Sequence, residues 1–153
     1  NITLLLFFIL SLTANSLSVL SENSELKISS NELKIDSKGR NSIFIGNVYV
    51  EDNNLKVWSN KMTINFDEDN DQIKEIIANG AVRIIRVKEG SEILGDTAKY
   101  ILNKKTVIVI GNVSVKEKGN TVTGNKLVLD LEKSTSIMVG SESNRVETII
   151  IQE

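Results

Sequence analysis

The chain repeats itself, and no other feature limits its possible folds as much. Residues 28–66 align with residues 93–131 at a constant offset of 65, without a gap. Ile28 falls on Ile93, Ser30-Asn31 on Gly95-Asp96 and Ile35 on Tyr100. Gly46-Asn47-Val48 falls on Gly111-Asn112-Val113, and Asn60-Lys61-Met62 on Asn125-Lys126-Leu127. A long offset kept in register is the mark of a fold assembled from copies of one unit. A shorter phrase lies inside it: a small residue, Asn or Asp, then alternating apolar positions, at Ser30-Asn31, Ser59-Asn60, Gly95-Asp96 and Gly124-Asn125. Between these phrases stands a glycine followed by a second alternating run, at Gly46, Gly80 and Gly111.

Within each piece the apolar period is two. Met62-Thr63-Ile64-Asn65-Phe66 alternates cleanly, as do Leu33-Lys34-Ile35 and Leu127-Val128-Leu129-Asp130-Leu131. Alternation puts one set of side chains on an inner face and sends Lys, Asn, Thr and Asp outward. Strands separated by turn chemistry at short intervals predict an all-β domain. The stretch Asp71–Ala78 has helical spacing but is too short to nucleate a helix alone, and it reads as a turn entering a strand. Each glycine at a joint supplies positive φ or a bulge. At Gly46, Ile43 and Ile45 are odd-numbered while Val48 and Val50 are even, so a bulge is expected to keep both sets inward. Trp58 is out of phase with its apolar neighbours and is expected at a rim or turn.

Composition narrows the chemistry. Among 153 residues there is no cysteine, no histidine and no proline. Disulfides, thiolate metal sites and the commonest general base are therefore absent, and no cofactor is called for. The formal net charge is −2, from 18 basic and 20 acidic residues mixed along the chain, so no basic stripe marks a nucleic-acid partner. Asp67–Asp71 resembles the start of a calcium loop, but Gln72 and Ala78 stand where glycine and a bidentate glutamate are needed; it reads as a solvated turn. Asn112-Val113-Ser114 is a formal glycosylation sequon in an expected strand. Ile2–Leu12 is apolar apart from Thr3 and Ser11, and no charge occurs before Glu22. Residues 1–20 are expected to be a secretory signal, incomplete at its start, with a cut after Ser16. An uncleaved inner-membrane anchor is the alternative. Residues 22–153 form the expected domain.

The ordered strings Ile28–Asp36, Ile45–Val50 and Val57–Ile64, repeated as Leu94–Tyr100, Ile110–Val115 and Val122–Asp130, carry a family resemblance. Their order and spacing resemble the OstA-like family of lipopolysaccharide transport proteins. That likeness implies a single elongated, slightly twisted antiparallel β-jelly roll with an open, V-shaped section. It also implies a non-enzymatic periplasmic protein of the LptA-like kind, whose apolar groove holds the lipid A acyl chains of lipopolysaccharide. An LptC-like member of the same pathway would keep its N-terminal helix as an anchor, and a closed-core structural module with only protein partners is a further alternative. The partners implied are lipopolysaccharide, LptC-like inner-membrane and LptD-like outer-membrane proteins, and further copies stacked head to tail. Parity, matched to the family's strands, nominates Leu26, Ile28, Leu33, Ile35, Met62, Ile64, Phe66, Ile84, Tyr100, Leu102 and Leu129 as groove residues. The two chain ends, with Leu26, Ile28, Val146, Ile149 and Ile151, are the expected assembly edges.

Overall fold

The computed structural model describes residues 27–51, 53 and 55–151. The expected signal segment and Leu26 lie outside the described residues. Ten strands follow one another: β1 (Lys27–Ser29), β2 (Glu32–Asp36), β3 (Asn41–Glu51), β4 (Leu55–Phe66), β5 (Ile73–Arg86), β6 (Ser91–Ile101), β7 (Thr106–Glu117), β8 (Asn120–Asp130), β9 (Thr135–Val139) and β10 (Glu147–Ile149). All pairs are antiparallel. The six long strands β3 to β8 pair in sequence order. β1 and β2 share the outer edge of β3, and β9 and β10 share that of β8. No helix occurs among the described residues, and β5 begins at Ile73, just after the acidic turn.

A single sheet cannot bury its own residues while flat. Yet Leu55 and Val109 are fully buried, and Val48, Val50, Val82 and Val113 nearly so. With no second sheet or helix among the described residues, only the other half of the same sheet can cover them. The long strands therefore bend near their middles, and the two halves face each other as the arms of a V. One arm carries Val48, Val50, Val57, Val82, Val113 and Val115 (the valine arm). The other carries Met62, Ile76, Ala98, Tyr100, Val107 and Leu129 (the tyrosine arm). Both contribute to one continuous hydrophobic cluster.

The crease is built by bulges on every second strand. In β3, Gly46 and Asn47 (φ +81° and +47°) together stand opposite Asn60 alone. In β5, Gly80 and Ala81 (φ +84° and +48°) stand opposite Asp96, and in β7, Gly111 and Asn112 (φ +84° and +48°) opposite Asn125. Two consecutive left-handed residues bend a strand sharply. The two sequence phrases thus prove to be partners. The "small-Asn/Asp" phrase of one strand packs over the glycine bulge of the next, and a Cβ on Gly80 would lie 3.0 Å from the Cβ and Cγ of Asn60. The structural repeat is accordingly one pair of strands.

The side-chain phase corrects two expectations. On β3 it is Phe44 that pairs with Met62 and packs on the core, so Ile43 and Ile45 face outward with their partners Thr63 and Lys61. The extra residue of the bulge keeps even-numbered residues inside on both sides of it. The phase change falls instead on the facing strands. It lies between Ser59 and Met62, between Gly95 and Ala98, and between Gly124 and Leu127. Trp58 is the second correction. It sits within β4 on the outer face, its ring 5.1 Å from Tyr49, with the Arg83 guanidinium 5.0 Å above it. Arg83 donates to Glu92 at 2.8 Å and the Tyr49 hydroxyl donates to Glu51 at 2.7 Å. Aromatic, cationic and acidic groups thus cover an outer-face row of the sheet.

Candidate functional site: an apolar groove between two arms

Direct cross-strand partners share a face, so the register converts the strand list into rows. On the tyrosine arm, one row runs Leu33, Phe44, Met62, Ala78, Ala98, Val109, Leu127 and Met138 across eight strands. The next row outward runs Ile35, Ser42, Ile64, Ile76, Tyr100, Val107, Leu129 and Ser136. On the valine arm a row runs Ile28, Val50, Val57, Ile84, Ile93, Val115, Val122 and Thr148. The first row is therefore apolar along the hydrogen-bonding direction from one sheet edge to the other, while the second is interrupted by Ser42 and ends at Ser136 and the valine-arm row ends at Thr148. At ~4.8 Å per strand, eight strands give a groove of roughly 35 Å.

Of the nominated groove residues, Ile28, Leu33, Ile35, Met62, Ile64, Ile84, Tyr100 and Leu129 fall on these rows, Phe66 and Leu102 lie off them, and Leu26 is outside the described residues. Met62, Tyr100, Leu102 and Leu129 are buried, and Ile28, Ile64 and Ile84 are half-buried against the cluster. Phe66 is half-buried opposite Ile73 at the lip of the tyrosine arm. Leu33 and Ile35 are different. They occupy the correct face, but on edge strand β2, where no neighbouring strand covers them, and they are 53% and 68% exposed. The sequence reading missed most of the valine arm and the small residues at the crease. Ser59, Gly95 and Gly124 are needed there because the arms converge: a Cβ on Gly95 would collide with Val109, and one on Gly124 with Met138. Each sits directly before the Asn or Asp of the repeated phrase, so the phrase itself carried the signal.

Between the arms lies a narrow apolar cleft of about 70 Å³. Leu55, Val57, Val82 and Ile84 line it from one side and Met62, Ile76, Ala98, Tyr100 and Val107 from the other. That is space for about two waters. Tyr100, among the residues that line this cleft, carries a hydroxyl, and burial raises its pKa above the usual tyrosine value. No group of three or more acidic side chains among the described residues is placed to hold a metal ion. What the arrangement offers is apolar surface without a reactive group.

The edges form the second surface. Among the exposed large apolar residues, Leu33 and Ile35 lie on β2, while Ile137, Val139, Val146, Ile149, Ile150 and Ile151 belong to β9, β10 and their flanks. The expected edge residue Ile28 is half-buried on β1, paired with Val50. β10 lies on β8 with Ile149 opposite Thr121, and the amide of Ile151 donates to the Asn120 side chain at 3.0 Å. Leu33 and Ile35 thus continue the groove face at one edge, whereas at the other Ile137, Val139 and Ile149 stand opposite Val128, Lys126 and Thr121 on the outer face and the groove rows end at Met138, Ser136 and Thr148.

Comparisons with known proteins agree with this architecture. The "Lipopolysaccharide export system protein LptH" of Pseudomonas aeruginosa is 24% identical over 137 residues, covering 82% of this chain and 78% of that protein. An uncharacterized protein of Rickettsia prowazekii is 28% identical over 109 residues, covering 70% and 75% respectively. The crystal structure of LptH, described as the LptA-homologous periplasmic component of the lipopolysaccharide transport device of Pseudomonas aeruginosa, superimposes with a TM-score of 0.70. It does so at 18% identity, over 84% of this chain and 96% of that one, which establishes the shared fold. The family model described as "LptA/(LptD N-terminal domain) LPS transport protein" matches residues 27–135. The chain therefore belongs to the LptA/LptD N-terminal-domain family of lipopolysaccharide transport proteins.

Proposed function

We propose that this chain is a non-enzymatic periplasmic carrier that shields the acyl chains of lipopolysaccharide between its two arms as the lipid passes from inner to outer membrane. The observation that carries the reading is the inner-face row from Leu33 through Phe44, Met62, Ala78, Ala98, Val109 and Leu127 to Met138, apolar on all eight strands, which leaves Leu33 exposed at one end and reaches the edge strand β9 at the other. A sealed core has no need of such ends. A groove continued by a second molecule has. In this reading the β1/β2 edge and the β9/β10 edge join copies head to tail, and the terminal copies meet LptC-like and LptD-like partners by the same strand pairing.

Burial of hydrocarbon is worth about 0.8 kcal/mol per methylene. A stretch of ten would contribute about 8 kcal/mol before the costs of association. The resting cleft is far smaller than the ~300–1,000 Å³ of a formed ligand pocket, so the arms must part to admit a chain. Their mutual contacts then offset part of that gain, which suits a carrier that must release its cargo. The narrowness of the cleft also favours the second reading, a closed-core interaction module. The discriminating experiment mixes the purified domain with lipopolysaccharide and with a hydrophobic dye, monitoring folding by circular dichroism. Saturable binding of both by the folded protein is expected; a well-folded protein that binds neither sinks the carrier reading.

A further inference from the structure

One lip of the groove is not apolar. Arg86 ends β5 and pairs with Ser91 of β6, Ser91 pairs with Glu117 of β7, and Glu117 with Asn120 of β8. These four polar residues continue the inner face of the valine arm beyond the row of Ile84, Ile93, Val115 and Val122. Arg86 is only 7% exposed and Ser91 1%. The Arg86 Nε and the Ser91 Oγ are both buried without a hydrogen-bond partner. The counter-charge is Glu117, 3.7 Å from the Arg86 guanidinium, which is too far for a hydrogen bond. Glu117's own side chain is 44% exposed.

This corner is costly as it stands. A guanidinium carries five donors in a fixed fork, and burying it with its Nε–H unsatisfied and its counter-charge beyond hydrogen-bond reach is unfavourable. Burial accordingly pulls the Arg86 pKa down, with Glu117 opposing. An apolar side chain would seal the corner at less cost. A cleft of about 270 Å³ opens at Glu117, lined by Val115, Glu117, Lys118, Asn120 and Val122; Arg86 and Ser91 are not in its lining, and Glu117 stands between it and the Arg86 guanidinium. Two valines of the inner-face row, a second cation and the residue that holds Arg86 therefore meet at one opening.

We propose that Arg86, with Ser91 and Lys118, forms a subsite for the phosphate group of a lipid headgroup whose chains lie on Val115 and Val122. Arg forks match phosphate oxygens in pairs, and such charge-assisted bonds are about twice as strong as neutral ones. Glu117 is the anion that faces Arg86; on binding of the phosphate it turns to solvent, where its side chain is already partly exposed. The inference rests on the carrier reading above and adds to it a polar anchor that sets the orientation of the lipid at the mouth.

The test measures binding of three probes to the full chain: bisphosphorylated lipid A, the same lipid A dephosphorylated, and inorganic phosphate. The wild type is expected to prefer the bisphosphorylated lipid by at least about tenfold. R86M should reduce that preference to under about twofold, and K118Q, on an exposed turn, should lower it in a protein of unchanged melting temperature. Equal losses on both lipids in R86M, with no effect of K118Q, would assign Arg86 a structural role and overturn the subsite. If inorganic phosphate alone raises the melting temperature of the wild type as far as the lipid does, the headgroup assignment falls. If both lipids bind equally and neither variant matters, the inference fails while the carrier reading stands. A wild type that binds neither lipid removes both.

Discussion

Alanine at Gly80 and at Gly90 separates two costs that are often confounded. Both glycines have positive φ, +84° and +61°. At Gly90, in the turn between β5 and β6, an added Cβ would meet nothing within 4 Å. Gly90→Ala therefore carries only the left-handed cost of about 1–2 kcal/mol, reduced by about 0.4–1 kcal/mol because the unfolded chain also loses freedom. A net loss of about 1 kcal/mol is expected. Gly80→Ala bears the same backbone cost, and its Cβ lies 3.0 Å from the Cβ and Cγ of Asn60 across the bulge. Overpacking of this kind adds about 1–3 kcal/mol, giving about 2–4 kcal/mol in all. Urea unfolding followed by fluorescence of Trp58, the chain's one tryptophan, reads both variants in the strand that carries Asn60. Equal losses from Gly80→Ala and Gly90→Ala would refute the claim that the Asn–Gly contact builds the crease.

Ala81 holds φ +48° where the other two bulges have Asn47 and Asn112; Ala81→Asn should raise the urea midpoint by the equivalent of about 0.5–1 kcal/mol, because asparagine tolerates that region better. Ile35→Lys on one edge and Ile137→Lys on the other should each weaken self-association in sedimentation velocity without shifting the melting temperature, since both side chains are exposed in the single chain; unchanged association in both would count against end-to-end stacking. Tyr100→Phe tests the buried hydroxyl: the folded-state pKa is raised, so the wild-type contribution is complete below about pH 10 and is lost as pH climbs through the raised value. The variant's stability relative to wild type should therefore improve above pH 10, and parallel curves for the two proteins would contradict the burial assignment.

Much of this architecture is legible in the residues. Period-two runs such as Met62–Phe66 specify strands and inner faces directly, and Gly46, Gly80 and Gly111 announce the bulges. What the pattern does not contain is the direction of the bend. Ile43, Phe44 and Ile45 are all apolar, so alternation alone cannot choose between them; the choice is made by Met62 across the ladder. Trp58 looked displaced because the phase of β4 changes after Ser59, a consequence of a bulge on the neighbouring strand. The exposed state of Leu33 and Ile35 is likewise a property of the sheet's edge. Arg86 was invisible to a search for apolar lining, although it continues the Val82 and Ile84 phase by two residues.

A phase-resolved crosslinking scan with lipopolysaccharide tests the central claim most directly. A photo-reactive side chain would be placed in turn along β5 and β6. On β5 the account predicts capture of lipid from Ile76, Ala78, Val82 and Ile84 and none from Ile77, Arg83 or Ile85. On β6 it predicts capture from odd-numbered Ile93 before the crease and from even-numbered Ala98 and Tyr100 after it. Capture that keeps one parity throughout β6, or that is as strong from Ile77 as from Ile76, would contradict a lipid held between the two arms.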